Sequence, residues 1–552
     1  MKNFVIVHKH KVFAVFISLI VTLVYCLAVG IDYTVADDSL INYFTQGWYG
    51  KGVFQVLIPY VSEILTFLLW VLHCIIPEIN WYLVLLLGLN VLIFAIWHIM
   101  FFNKKLGRIT HICLIAFQII VLFRITYTIM AYLAVFSGSA TLLKGITKKE
   151  KILGSVLIFL GIALRKDVWI TTLLLIFPWM LFELMEKKSS MMKEFIKILC
   201  IYVSAFVIVT GTAHYMKNIN DVNQEYHHWN EASTKIRDYV KIPYWDNQEM
   251  YETLNLSEND VEGLYEWMFA DKDRFGTENL EKIAAERAFY QTYELNPIGI
   301  MKAYMQNPIY IFVAIVILLL ILFIFKVRHW CAWATMAMFA LEMLMLIVRQ
   351  RVVFRVYFSF IVIFCCILIY NSKEFFDVRI ANLKIRKFVE SIIVVSSISF
   401  SIVFSVIPLP KEEWITKKEE LRNYVKRNED KFYVCDSFYL MKKLQENVST
   451  IYSKDSYLTN LMTWGDWSSF SLQYYEQLNR NQIVCSENIF QALLEDKVYL
   501  IGGNWDKINI LKRYYKEHYG HSIKIRAIKK IGNNYIYKIK EKKSNGVQSK
   551  KF

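Results

Sequence analysis

The sequence predicts a polytopic α-helical membrane protein of about eleven spans, with interfacial helices and a soluble α/β domain at its C-terminal end. Composition is the first observation behind this. Of 552 residues, 56% are hydrophobic, 16% aromatic and only 20% charged, too apolar a balance for an ordinary soluble enzyme. The second is a succession of apolar runs of membrane-spanning length, separated by short basic tracts that account for much of the +15 net charge. The third is a change of character after residue 407, where long apolar runs give way to short β-rich and amphipathic helical stretches. The basic tracts obey the positive-inside rule, so the charge argues for a membrane partner and against nucleic acid.

The first run, 12–31, follows a basic lead and carries no small-x-small cleavage site, which predicts a retained signal anchor with a cytoplasmic N-terminus. Further runs fall at 53–76, 81–102, 109–124, 127–143, 152–164, 168–186, 195–213, 308–325, 330–348, 353–370 and 388–407. Were 53–76 to span, the Lys-rich tracts 103–108, 144–151, 186–197 and 371–387 would all lie outside, against the charge rule. Its polar residues Gln55, Pro59, Ser62, Glu63, Thr66 and His73 fall within an arc of roughly 100°, as in a helix lying at the interface. With that run removed, a transmembrane domain occupies 1–407 and the C-terminus lies outside the plasma membrane. Outside as well are a first loop, 32–80, the turn at 163–169 and a larger loop, 214–306.

The larger loop holds 17 Asp plus Glu against 9 Lys plus Arg, and Ser257 with Asp260 three residues later marks a helix start, so an ordered helical insertion is expected. In "DKDRFGTENLEK", Phe275 and Lys282 stand where a calcium loop needs oxygen ligands, and no cation site is expected. His214, His227 and His228 lack zinc-site spacing. The domain at 408–552 reads as strands at "KFYVCDS", "NQIVCSE" and "KVYLIGG", helices at "FYLMKKLQENV" and "WDKINILKRYYKEHY", and a hairpin in "IKIRAIKKIGNNYIYKIK" before a disordered end. Seven of the nine cysteines sit in apolar segments; Cys435 and Cys485 are expected as separate thiols.

Chemistry concentrates on the outer side. Asp37 and Asp38 follow the first span by about six residues. One carboxylate is enough to cap the following helix; Asp38 is better placed for that, which leaves Asp37 as a base or, with Asp38, as a ligand for a divalent cation, Mg or Mn. The outer ends of later spans carry Arg124, Arg165, Lys166, Arg349, Arg351 and Arg355, each able to snorkel to headgroups and together suited to a phosphate. Asp167 is expected to orient its basic neighbours. Glu63 marks the interfacial run, and Glu342, inside a span, should face the bundle, paired or protonated.

This layout resembles the GT-C superfamily of integral-membrane glycosyltransferases, in which an acidic pair opens the first outer loop, two juxtamembrane helices follow, and a soluble domain often ends the chain. Here the pair is Asp37 and Asp38, the juxtamembrane helices are about 38–50 and 53–76, and the soluble domain is 408–552. The resemblance implies transfer, with inversion at the anomeric carbon, of a sugar from a polyprenyl-phosphate donor to a cell-surface glycan, lipid or polymer. One carboxylate would act as base or metal ligand, and the basic residues would stabilise the departing phosphate. The Trp-Trp-Asp-Tyr-Gly motif of oligosaccharyltransferases is absent and "TWGDW" (463–467) is only loosely similar, which disfavours oligosaccharide transfer to protein. A polymerase of surface polysaccharide, or a transporter or flippase of lipid-linked glycans, is the alternative.

Overall fold

The computed structural model describes residues 2–31, 33, 36–45, 58–187, 189–237, 241–293, 325–327, 329–349, 353–378, 412–436, 458–502, 505–532 and 534–542. The chain is mostly helical, with a small C-terminal sheet. Among the described residues, five helical segments are long and apolar enough to cross a membrane: Lys9–Ala28, Trp81–Asn103, Val168–Glu186, Met192–Lys217 and Trp330–Val348. The expected spans at 308–325 and 388–407 fall almost entirely outside the described residues.

The helices run α1 (Lys2–Ala28), α2 (Ala36–Thr45), α3 (Glu63–Ile75), α4 (Trp81–Asn103), α5 (Arg108–Phe123), α6 (Tyr127–Lys144), α7 (Lys148–Leu164), α8 (Val168–Lys187) and α9 (Ser189–Lys217). Ion pairs gather one end of this bundle. Lys11 reaches Glu150 at 2.7 Å, Lys151 reaches Glu194 at 2.6 Å, Lys104 pairs with Glu374, and Lys144 pairs with Glu183. The basic tracts at 103–108, 144–151, 186–197 and 371–378 therefore meet at a common end. At the opposite end, the Ser62 amide donates to the Ala163 carbonyl at 2.7 Å, tying the start of α3 to the end of α7.

Residues 53–76 do not form one helix. Ser62 caps α3 by accepting from the Ile64 amide, so Pro59 and Ser62 precede the helix, and Gln55 lies outside the described residues. At 13 residues, α3 is about 20 Å long, short of a hydrocarbon core of about 30 Å. Its facing also differs from the expected polar surface. Thr66 is buried with Leu65 and Leu69, while Phe67, Leu68 and Ile75 are exposed. Thr66 turns inward because its hydroxyl donates to the Glu63 carbonyl, which removes its need for water.

After α9 come α10 (Asp221–Arg237), α11 (Gln248–Thr253), α12 (Glu258–Tyr265), α13 (Lys272–Phe275) and α14 (Thr277–Tyr293), the helical insertion the charge pattern predicts. Ser257 and Asp260 form a reciprocal capping box. Next are β1 (Phe325–Val327), α15 (Trp330–Val348), α16 (Phe354–Tyr370), α17 (Ser372–Phe375) and β2 (Phe376–Val378); β1 and β2 pair antiparallel, a small ribbon without a sequence signal of its own.

The last unit contains α18 (Glu412–Arg427), β3 (Phe432–Cys435), β4 (Leu461–Thr463), α19 (Leu472–Arg480), α20 (Ile489–Ala492), β5 (Val498–Gly502), α21 (Trp505–Tyr519), β6 (Ile523–Ile531) and β7 (Asn534–Glu541). Its sheet has the order β4-β3-β5-β7-β6, parallel among the first three and antiparallel beyond. "NQIVCSE" is not a strand: Gln482 takes a left-handed φ of 54°, and the segment turns between α19 and α20. "FYLMKKLQENV" and nearly all of "EKKSNGVQSKKF" lie outside the described residues. Cys435 and Cys485 are separate free thiols, the first buried in β3.

Candidate functional site

Asp37 and Asp38 occupy the first turn of α2, where carboxylates favour the helix dipole. Their side chains part. Asp38 is fully buried, and its Oδ1 accepts from the Tyr82 hydroxyl at 2.6 Å and from the Tyr127 amide at 2.8 Å. Asp38 thus caps a helix, but the helix is α6 rather than the one that follows it in sequence. Its Oδ2 is buried with no hydrogen-bond partner among the described residues.

Asp37 is partly accessible and faces Arg355, at 3.5 Å, from the start of α16. Arg165, at the end of α7, donates to the Thr128 hydroxyl at 2.8 Å and stands over the Tyr127 ring at 5.9 Å. Burial opposes its charge, and the Tyr127 and Tyr132 hydroxyls, Asp167 and Asp37 more than offset that, so Arg165 stays a cation. Arg124 places its guanidinium 5.6 Å from the centre of the Phe354 ring, next in sequence to Arg355. One acidic group and three guanidinium groups from α2, α5, α7 and α16 therefore share the end of the bundle away from the Lys-rich tracts.

The other predicted residues stand at the edge or apart. Lys166 and Asp167 are exposed, and Lys166 lies within electrostatic range of Glu63. Burial pushes the Glu63 carboxyl up to about 7, against its own backbone amide and Lys166, which pull it down. Arg349 is exposed at the end of α15, and among the described residues no contact joins it to the acidic pair. Arg351 lies outside the described residues. Glu342 is 1% exposed, and among the described residues neither of its oxygens has a hydrogen-bond partner; Tyr132 and Arg349 are within electrostatic range.

Sequence reasoning missed the aromatic part of the site. Tyr60, at a left-handed φ of 79°, stacks on Tyr127 at 6.3 Å and meets the edge of Trp467 at 6.5 Å. Such a φ is costly for an aromatic residue and has to be held by its surroundings. Trp467 also packs on Phe44 of α2 at 5.2 Å, and its carbonyl accepts from the Tyr226 hydroxyl at 2.7 Å. "TWGDW" is thus the loop by which the C-terminal unit meets the acidic helix. Asp466 shapes that loop: it is fully buried and accepts from Thr463, from the Ser468 amide and from the Ser468 hydroxyl at 2.5 to 2.6 Å. Gly465 permits the close approach, since a Cβ there would lie 2.3 Å from the Trp267 carbonyl.

Trp467→Ala is expected to weaken this junction by about 3–5 kcal/mol, the usual cost of truncating a buried Trp. Trp467→Phe should cost much less, because the indole N–H has no partner among the described residues. Thermal unfolding of the two variants in detergent checks the difference.

Burial pushes the Asp38 carboxyl up to about 7, while the hydrogen bonds from Tyr82 and the Tyr127 amide pull it down. An unfolded Asp releases its proton near pH 3.9, so between about pH 4 and 7 the folded chain binds the extra proton. The corresponding stability is full at the acid end and is lost as pH rises to about 7, by at most roughly 4 kcal/mol. Melting curves across that window should show the decline, and Asp38→Asn should flatten it.

Asp38 Oδ1 is committed to Tyr82 and Tyr127, Asp37 faces a guanidinium, and among the described residues no third metal-ligating side chain joins them. The chain matches no protein-family model, no curated protein and no solved structure.

Proposed function

We propose that the chain is a glycosyltransferase with eleven spans, moving a sugar from a polyprenyl-phosphate donor to a cell-surface acceptor at the outer face of the plasma membrane. The observation that carries this reading is the pairing of Asp37 with Arg355 across the bundle, beside Arg165, with Asp38 buried behind as a support. Attack of a hydroxyl on an anomeric carbon needs a base for the incoming proton and fixed positive charge for the phosphate that leaves. Asp37 accepts the proton from the acceptor hydroxyl; Arg355 and Arg165 hold the phosphate oxygens as the bond to the sugar breaks. Asp38 positions α2 against α4 and α6 and does not touch substrate.

The meeting of the basic tracts at one end supports a cytoplasmic placement for that end and an outer placement for the site. A cysteine at Asn103, on the Lys-rich end, should resist membrane-impermeant reagents in intact cells. Incubating membranes with radiolabelled polyprenyl-phosphate sugars, and following label into surface polymers, tests the activity. Label that stays on the donor with every sugar tried would overturn the reading.

A further inference from the structure

The hairpin of β6 and β7 carries an arrangement of charge that nothing in the site above uses. Lys524 stands directly opposite Lys540, and Arg526 opposite Lys538. Like charges facing each other across an antiparallel pair repel. A bulge between Ala527 and Lys529 puts Lys529 opposite Ile536, so Lys524, Arg526, Lys529, Lys538 and Lys540 share one face of the ribbon.

Compensation is sparse. Lys524, Arg526 and Lys529 are exposed and make no ion pair among the described residues. Lys540 has Asp496 at 4.0 Å, with both side chains in water, and Lys538 is spent on the carbonyls of Glu495 and Val498. An edge strand often carries Lys to block pairing with another chain, and that purpose accounts for β6. It does not account for Lys540, because β7 lies between β5 and β6 and has no open edge.

We infer that this face is a docking strip for a linear phosphate-bearing polymer, which, resting on the transferase reading, is the acceptor class. Lys524 and Arg526, two residues apart, stand about 7 Å apart along β6, with Lys529 beyond the bulge and Lys540 opposite Lys524, a row of exposed cations suited to an extended chain with a charge on each unit. A phosphodiester stays ionised and accepts from both the Lys ammonium and the Arg fork. The remaining side chains of the face, Ile531, Asn534 and Ile536, are buried, so the exposed part offers no aromatic ring on which a base would stack, which sets single-stranded nucleic acid aside.

The test uses the full chain carrying Asp37→Asn in phosphatidylcholine nanodiscs, so that binding is read apart from transfer. Long-chain inorganic polyphosphate is the probe, with polyglutamate and phosphatidylglycerol vesicles as the other arms. Polyphosphate should bind with a steep salt dependence, and Lys524→Gln/Arg526→Gln/Lys529→Gln should lose at least about tenfold in affinity and flatten the salt slope by about 2. Lys524→Arg/Lys529→Arg should bind as before. Unchanged binding in the Gln variant overturns the proposal, whether or not that variant aggregates. Equal binding of polyglutamate, or capture by vesicles alone, also overturns it.

Discussion

Asp37→Asn should lower the proposed sugar transfer by a factor of about 10² to 10⁴, the usual contribution of a positioned base, while leaving thermal stability within about 1 kcal/mol of the parent. Asn keeps the shape of the side chain and can still accept from Arg355, so the bundle end has no reason to open. What is lost is the capacity to take a proton. Asp38 should behave in the opposite way. Asp38→Asn retains an acceptor for Tyr82 and the Tyr127 amide, and the fold should survive with much of its activity. Asp38→Ala leaves both donors buried without an acceptor, a cost of about 1–3 kcal/mol for each, and should destabilise the protein before any question of chemistry arises. Activity and melting temperature measured on all three variants separate base from support. Equal activity losses in the two Asn variants, both folded, would remove the distinction between the carboxylates.

That distinction was only half legible in the sequence. Two adjacent carboxylates after an apolar run point to an outer site, and spacing leaves one of them free of the capping role. The capped helix is a different matter. Asp38 binds the start of α6, 89 residues away, and Tyr82, 44 residues away, contacts fixed by how helices cross rather than by any local pattern. The arginines show the same division. Charge at the ends of apolar runs marks Arg124, Arg165, Arg349 and Arg355 alike, but crossing geometry brings Arg355 to Asp37 and leaves Arg349 exposed. Boundaries of the described apolar helices followed apolar length, because burial of that length is what forms them. The run at 53–76 misled, since a polar arc computed along a continuous helix has no meaning where Tyr60 and Ser62 break the helix. "TWGDW" was visible as a motif, yet its contact with Phe44 joins segments more than 400 positions apart, and no periodicity reports such a contact.

Gly154→Val should cost the bundle more than about 3 kcal/mol and abolish the proposed transfer with it. Helices α6 and α7 touch backbone to backbone: a Cβ on Gly154 would lie 2.7 Å from the Gly138 carbonyl, and one on Gly138 would lie 2.5 Å from the Gly154 carbonyl. Small residues are the usual means of close helix contact in lipid, where no hydrophobic force drives helices together and packing has to supply the attraction. Neither obstructing atom is the end of a flexible side chain, so added carbon is relieved only by moving the helices apart. Gly161, two turns along α7, repeats the contact against the Ala131 carbonyl, at 2.7 Å from its own added Cβ, so separation would extend toward the end that holds Asp37 and Asp38. There α6 supplies the Tyr127 amide to Asp38 and Thr128 to Arg165, and α7 ends in Arg165 itself. A wedge at Gly154 therefore reaches the site through the same two helices that build it, without touching a site residue. Gly88→Ala in α4 is the control, because an added Cβ there meets nothing within 4 Å and should gain helix propensity of up to about 1 kcal/mol. Unfolding midpoints in detergent should fall for Gly154→Val and hold or rise for Gly88→Ala; an unchanged midpoint in Gly154→Val would mean that α6 and α7 are not in contact as described.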